Sequence, residues 1–468
     1  MAGTWIETNR SLEVRNKYSG EVVDHVPLCD VSVLESALRS AERGAHTMKG
    51  LPAYRRAEIL EQASDEIKRS EDELAKTIAV EAGKPMKYSR KEVERARLTM
   101  KFSSEEAKRV SGEVIPFDAE PRGVDRVGYY FRVPVGVVGA ITPFNDPLNL
   151  VAHKLGPAFA GGNSVILKPA SVAPLSALNL ASILDNSGLP SEALNVVVGA
   201  GKEVGEPLVS DRRVGMVSFT GGVEAGRRIA QLAGIKRVSM ELGSNSAVIV
   251  MDDAPLDLSV SACCESGFSC QGQNCIHPQR LYVQEGVYRE FEDDLVEGVE
   301  RLVLGDPLDM KTDVGPMISE AEAARVEEWV HEAVEQGATV LTGGTRDGVM
   351  FWPTVLRDVP AGARIAREEV FGPVVLIERF GGLEEAIEKS NSTGYGLQAG
   401  IFTSSIDSAL RAVRDLEFGA VLVNDTSDFR VDFMPFGGVK MSGVGREGVK
   451  FAIEEMTEIK TVIYRTSG

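Results

Sequence analysis

Five cysteines occur in the chain, and Cys263, Cys264, Cys270 and Cys275 crowd one segment while Cys29 stands far away. Cys275 closes the run Phe268-Ser-Cys-Gln-Gly-Gln-Asn-Cys275, just beyond an apolar helical stretch. Flanked by Gly and polar residues, its thiol sits where backbone amides can face a developing negative charge. Cys263, Cys264 and Cys270 read as packing, the usual role of a free cysteine. Cys270, Cys275 and His277 are close enough in sequence to raise a metal. Structural zinc takes four ligands in paired short spacings, however, and no second Cys or His cluster exists, so no metal is expected. Glu241, in Val238-Ser-Met-Glu-Leu-Gly-Ser-Asn245, ends a strand beside a glycine. A carboxylate at such a junction is a candidate general base once burial raises its pKa, and a solvated loop charge otherwise. Asn145 follows a buried strand in Thr142-Pro-Phe-Asn145-Asp-Pro. Its amide can serve an oxyanion, or simply the turn.

Two further segments suit a nucleotide. Lys168 ends the buried strand Ser164-Val-Ile-Leu-Lys168, at the sheet edge where α/β folds bind ligands. Phe219-Thr-Gly221-Gly222-Val-Glu-Ala-Gly226 turns from strand into helix, and amides at that start would suit a phosphate. It lacks the G-x-G-x-x-G fingerprint, so by itself it is weak.

The elements that must position these residues follow from hydrophobic period. Of 468 residues, 43% are hydrophobic and 26% charged, which is globular composition with room for two or three domains. Helix periodicity covers 31–49, 53–79 and Lys91–Val110, then Pro174–Ser187 and Glu224–Ala233. Buried strands are expected at 135–141, 164–167, 194–198, 216–219 and 247–250, predicting a parallel sheet covered on both faces. A second βα series runs from about Arg280 to Asn424, with a boundary near Met251. The segment Phe117–Arg132 alternates like a hairpin, of the kind used in assembly. Lys plus Arg number 51 against 69 Asp plus Glu, a net charge of −18, which excludes nucleic-acid and anionic-membrane partners but not a small anion. No signal peptide and no spanning segment are read, so a cytoplasmic protein is expected.

Taken in order, Pro143-Phe-Asn145, Gly162-Asn-Ser-Val-Ile-Leu-Lys168-Pro, Phe219-Thr-Gly-Gly, Met240-Glu241-Leu-Gly, Gly272-Gln-Asn-Cys275, Glu368-Glu369-Val-Phe371-Gly-Pro and Pro435-Phe-Gly-Gly-Val-Lys440 resemble the aldehyde dehydrogenase superfamily along nearly the whole chain. The resemblance implies a Rossmann-like NAD(P)-binding domain, an α/β catalytic domain and a small β oligomerisation element. It places them at 1–111 with 133–245, at 246–440, and at 112–132 with 455–468. It implies that Cys275 is the nucleophile, that Asn145 and the Cys275 amide hold the oxyanion, and that Glu241 activates the water that hydrolyses a thioester. Lys154 and Glu458 match positions of the proton network. NAD or NADP would be held by Ile141, Thr142, Pro143, Phe144, Lys168, Ala170, Ser171, Gly201, Gly205, Phe219, Thr220, Gly221, Gly222, Leu242, Gly243, Glu369 and Phe371. The hairpin and the tail Ile459–Arg465 match oligomerisation strands, implying a homodimer or homotetramer.

Departures from the family pattern bear on substrate and cofactor. Ser171 stands where NAD-preferring members often carry a glutamate, which leaves NADP admissible. His153 replaces a common aromatic, and with Arg95 on the long helix it could pair with a carboxylate, phosphonate or phosphate. An arginine on an amphipathic helix also serves as a solvated face. Asn274 stands where members acting on phosphorylated or dicarboxylic aldehydes often have arginine, and Asp146 would discourage anions if it faced the tunnel. These features look most like the branch with lactaldehyde and phosphonoacetaldehyde dehydrogenases, implying a small, polar, anionic aldehyde. The alternatives are neutral or aromatic aldehydes by the same mechanism, transfer of the acyl group to coenzyme A, which Glu241 argues against, or a non-catalytic member of the fold.

Overall fold

The structure is a computed structural model of the chain, describing residues 3–466. A six-stranded sheet runs in the order Gly443–Val444, Arg237–Glu241, Val214–Thr220, Val137–Ile141, Ser164–Lys168, Leu194–Val196. Its inner strands are parallel and buried on both faces, as their unbroken apolar runs require. Side-chain alternation divides them cleanly. Val138, Ala140, Val165 and Leu167 pack under the helices Ala53–Arg69, Met86–Ala107, Asn149–Ala160 and Leu175–Asn186. Val137, Ile166, Val217 and Phe219 face the opposite layer, with Val31–Gly50 and Val223–Ala233.

A seven-stranded sheet comes next, in the order Thr339–Thr342, Thr354–Arg357, Val374–Phe380, Arg280–Gln284, Ala247–Val250, Gln398–Phe402, Ala420–Val423. Ala247–Val250 lies inside this sheet, so the passage between sheets precedes it rather than falling near Met251. The helix expected over 53–79 is two helices, broken at Ser70. The expected hairpin also differs. Glu113–Ile115 pairs with Arg126–Pro134, and two short helical turns, Phe117–Ala119 and Pro121–Gly123, fill the connection. Thr457–Arg465 joins the same small sheet antiparallel, from Thr457 opposite Pro134 to Arg465 opposite Arg126. Ser467 and Gly468 of the expected tail segment lie outside the described residues.

One contact between helices fixes the turn that carries Asn145. The helix Asn149–Ala160 starts after that turn, and its N-cap, Leu148, has no side chain able to cap. Glu92, from Met86–Ala107, supplies the missing acceptor: one oxygen takes the amides of Leu148 at 2.8 Å and Asn149 at 3.1 Å. Its other oxygen takes Lys84 Nζ at 2.5 Å. An acid at a helix start satisfies otherwise orphaned donors and the dipole together. Glu92→Ala leaves the two helix-start amides without their acceptor and Lys84 with Asp146 alone, so it should destabilise the protein by about 1–3 kcal/mol. Denaturant unfolding measures this, and a loss below about 1 kcal/mol would show the cap and pair to be idle.

Candidate functional site

Cys275 follows the helix Leu256–Phe268 through a strained turn in which Cys270 and Gln271 take φ of 50° and 59°. Gln271 Nε2 fixes that turn by donating to the carbonyls of Gly83 at 2.7 Å and Pro316 at 2.8 Å. Beyond it, the Asn274 carbonyl accepts the amide of His277 at 3.1 Å, bending the chain around Cys275. Cys275 packs against Ile276, Leu397 and Phe436 and lines a cavity of about 480 Å³ together with Asn145. Burial, then Glu369, pushes its thiol up, while Arg430 pulls it down. His277 turns Nε2 to the Gly267 carbonyl at 2.9 Å, away from any shared site with the two cysteines. Among the described residues no three His, Cys, Asp or Glu side chains converge to hold a metal ion.

Glu241 ends the strand Arg237–Glu241. It is 2% exposed, and neither carboxyl oxygen has a hydrogen-bond partner among the described residues. Gly437 gives it room, since a Cβ there would lie 2.9 Å from its Oε1. Burial and the nearby Glu447 raise Glu241 well above the ordinary 4.5, against Lys154, Arg430 and Arg446. Glu447 is the fixed charge of the group, taking Lys154 Nζ at 2.5 Å and Arg430 Nη2 at 2.9 Å. Burial opposes its ionisation, but Lys154 and Arg430 hold it below the usual carboxylate range. Glu458, expected in the proton network with Lys154, is not there. It pairs with Arg237 on the exposed strand Thr457–Arg465. Glu447 holds the place, in a Gly-Arg-Glu-Gly run that no pattern in the sequence singles out.

The cavity wall is a chain of paired charges. Asp146 accepts from Lys84 Nζ with one oxygen and from Arg95 Nη1, at 3.2 Å, with the other. Arg95 Nη2 reaches Asp432 at 3.0 Å. Arg95 therefore faces the cavity, as does Asp146. His153 does not. Its ring is fully buried, with Nε2 at 2.9 Å from Asp432 and 3.3 Å from Arg430 Nη2. The substrate-binding role expected of His153 is thus corrected, because the side chain packs behind the wall and orients Asp432. The second cavity-facing guanidinium is Arg430, stacked 3.7 Å from the Phe436 ring centroid. Arg95 and Arg430 each keep a buried Nε without a partner. Asn274 donates to Asp428, whose carboxyl burial pushes up to about 7.

Across Cys275 lies the carboxyl edge of the six-stranded sheet. Ile141 and Thr142 end and follow one strand, Lys168 ends the next, Phe219 and Thr220 end the third, and Gly221 and Gly222 lead into Val223–Ala233. Gly201 and Gly205 bound a helical turn beside Lys168, and burial lowers the Lys168 ammonium. Ser171 Oγ donates to the Gly199 carbonyl at 3.1 Å, beyond Pro169 and Ala170. Thr142 Oγ1 is buried without a partner. In the loop before the strand Val374–Phe380, Glu369 takes the Ser244 amide at 2.8 Å and crowds Gly243 so closely that a Cβ there would strike its carboxyl. Burial pushes Glu369 up to about 7. Phe371 meets Phe144 edge-on at 5.8 Å, just after Pro143, and Leu242 is pinned to the Ser442 carbonyl at 2.9 Å. A buried hydroxyl without a partner, a lysine, a carboxylate and a glycine turn along one edge fit a dinucleotide.

Residues 5–462 match the profile of the aldehyde dehydrogenase family. The chain belongs to that family. It is an NAD(P)-dependent aldehyde dehydrogenase with the family's fold. A 3-sulfolactaldehyde dehydrogenase of Priestia megaterium is 46% identical over 461 residues, 98% of this chain and 96% of its own. A lactaldehyde dehydrogenase of Methanocaldococcus jannaschii is 43% identical over 465 residues, 98% of each chain. The crystal structure of aldehyde dehydrogenase 21 from Physcomitrella patens, in complex with the reaction product succinate, superposes with a TM-score of 0.98 at 41% identity, covering 100% of this chain and 98% of that one.

A carboxyl whose folded pKa is raised is neutral below that value and accepts no proton. Turnover of this enzyme should therefore fall on acidification, starting well above the ordinary carboxylate range. Glu241→Gln should lower kcat by roughly 100-fold or more, the scale of a lost general base. The same shift has a stability signature. A raised pKa contributes stability fully present below the unfolded value near 4.5 and lost as pH rises through the folded value. Glu241→Gln should therefore melt above the wild type at pH 9, with the gap closing on acidification. A gap independent of pH would refute the buried neutral carboxyl.

Proposed function

We propose that the protein oxidises a small, polar, anionic aldehyde to its carboxylic acid through a covalent Cys275 intermediate. The observation that carries this is one cavity lined by Cys275, Asn145 and the guanidiniums of Arg95 and Arg430, with the unpartnered Glu241 carboxyl behind it. Cys275 Sγ attacks the aldehyde carbon, giving a tetrahedral thiohemiacetal whose oxyanion is met by the Asn145 amide and the Cys275 N–H. Once that carbon has given up its hydride to the acceptor that NAD or NADP would supply, a thioester remains. Glu241 takes a proton from water, which attacks the thioester carbonyl, and the acid leaves as Sγ is released. Lys154 and Glu447 hold fixed charge beside Glu241 and give its proton a route away. Glu241 also favours hydrolysis over transfer of the acyl group to a second carrier.

Lys168 and Glu369 would hold the ribose hydroxyls of NAD or NADP, Thr142 its unpartnered hydroxyl against the same ligand, and Gly221 and Gly222 the pyrophosphate. Phe371, with Phe144 beside it, would bound the nicotinamide. The cofactor, when bound, supplies the acceptor for the aldehyde hydride. Ser171 puts no carboxylate against a ribose 2′-phosphate, so both cofactors are admitted.

The anion would be met by the guanidiniums of Arg95 and Arg430, which both belong to cavity-lining side chains. The relative named for 3-sulfolactaldehyde and the neighbour holding succinate are in keeping with one negative charge on the substrate. A neutral hydroxyaldehyde is the second reading, because both terminal nitrogens of Arg95 and one of Arg430 are already paired with carboxylates. Reduced-nicotinamide formation across lactaldehyde, succinic semialdehyde, 3-sulfolactaldehyde and benzaldehyde, with each cofactor, separates the two. Arg95→Ala should raise KM for the anionic aldehydes roughly tenfold or more while sparing lactaldehyde, the scale of a lost charged hydrogen bond. Equal effects on all would remove the anion from the reading, and turnover by Cys275→Ala would remove the mechanism.

We further propose a homodimer or homotetramer. The small sheet exposes Val127, Tyr129, Phe131 and Tyr464 on one face and Ile459 and Ile463 on the other, apolar surface of the kind that marks association. Light scattering that returns a monomer at micromolar concentration would remove this.

A further inference from the structure

The cavity holds an acid where an anionic substrate would want only bases. Asp146 directly follows Asn145, and its side chain is 20% exposed toward the cavity it lines. It bridges two cations, Lys84 on one oxygen and Arg95 on the other. Burial pushes its carboxyl up, but Lys84, Arg95 and Arg430 prevail and leave it lowered, so it stays ionised at neutral pH.

The donors that remain set a limit. Arg95 has both terminal nitrogens on carboxylates, while Arg430 gives one of its two to Glu447, so few guanidinium donors are left for a substrate. Lys84, the third cation of the inner wall, is 3% exposed and held between Glu92 and Asp146. Lys91, at the rim, lies 3.3 Å from Glu265, and both side chains are 64% exposed. A second negative charge on the substrate would therefore lie against the ionised Asp146, with Lys84 and Arg95 already paired to carboxylates.

We propose that Asp146 is the specificity-determining residue of the cavity, an internal carboxylate that takes one anion's place between Lys84 and Arg95 and restricts substrates to aldehydes with at most one negative charge. The inference rests on the anionic-aldehyde reading above, and it extends that reading to a discrimination between monoanions and dianions. Asp146→Asn isolates the charge. Asparagine keeps the shape and one acceptor oxygen, Lys84 keeps Glu92, and Arg95 keeps Asp432. The cavity then loses one negative charge while each cation keeps a carboxylate.

The test compares 3-sulfolactaldehyde with glyceraldehyde 3-phosphate at pH 8, three-carbon hydroxyaldehydes that differ mainly in bearing one or about two negative charges. The wild type should favour the sulfonate in kcat/KM. In Asp146→Asn the phosphate-to-sulfonate ratio should rise roughly tenfold or more, because a like charge at contact distance has been removed. Taking the ratio cancels any general loss from disturbing the neighbouring Asn145. Calorimetric binding of glycerol 3-phosphate reads the same charge without turnover, and it should be tighter in the variant. A ratio unchanged within about threefold, a wild type that already prefers the phosphate, or glycerol 3-phosphate bound no tighter by the variant would each overturn the proposal. Failure of the underlying reading looks different. Lactaldehyde would then exceed the sulfonate in wild type and variant alike, whatever the phosphate does.

Discussion

Charge taken out of water must be answered by opposite charge at contact distance, or the fold cannot hold it. Much of this structure comes from meeting that demand along one buried chain. Lys84 meets Glu92 and Asp146, Asp146 meets Arg95, and Arg95 meets Asp432. Asp432 meets His153, and Arg430 links that imidazole to Glu447 and so to Lys154. The chain joins the long helix Met86–Ala107, the helix Asn149–Ala160, the loop 425–434 and the segment after Val444. The first three of these, with the segment 262–276, carry much of the cavity wall. Glu241, outside the pairing, is left free to change its proton, and the matched charges around it make its environment steep without making it unstable.

The strands were readable because burial on both faces leaves an unbroken apolar run, as in Ser164–Lys168, and nothing else produces that pattern in a few residues. Cys275, Glu241 and Asn145 stand out as candidates for a related reason. Each stands where strand or helix gives way to a glycine or proline turn, which composition marks locally. Val137–Ile141 starts two residues later than its apolar run because Gly136 takes φ of +107°. Ser70, a weak signal, was enough to split one periodic stretch into two helices.

The rest was hidden because its partners lie far apart in the chain. His153 and Asp432 are separated by 279 residues, and Lys154 and Glu447 by 293. No periodicity connects them, so a histidine at the tunnel position looked like a substrate ligand when it is a buttress. Glu458 looked suitable because it is an acid near the C-terminus. It lies on an edge strand facing solvent, while Glu447 sits where two glycine turns bring the backbone under Lys154. Arg430 could not be placed at all, since its orientation depends on stacking against Phe436.

Glu92 shows what such economy entails. One carboxylate starts a helix and holds a lysine that in turn holds the aspartate beside Asn145. No position along this wall is independent of the next, so the route from one substrate preference to another runs through coupled exchanges. A library that varies these sites one at a time would return mostly weakened proteins, whereas swaps of a cation and its carboxylate together keep the balance. Related enzymes with different aldehydes are then expected to differ here in pairs and triplets, with changes on the long helix echoed in the loop 425–434.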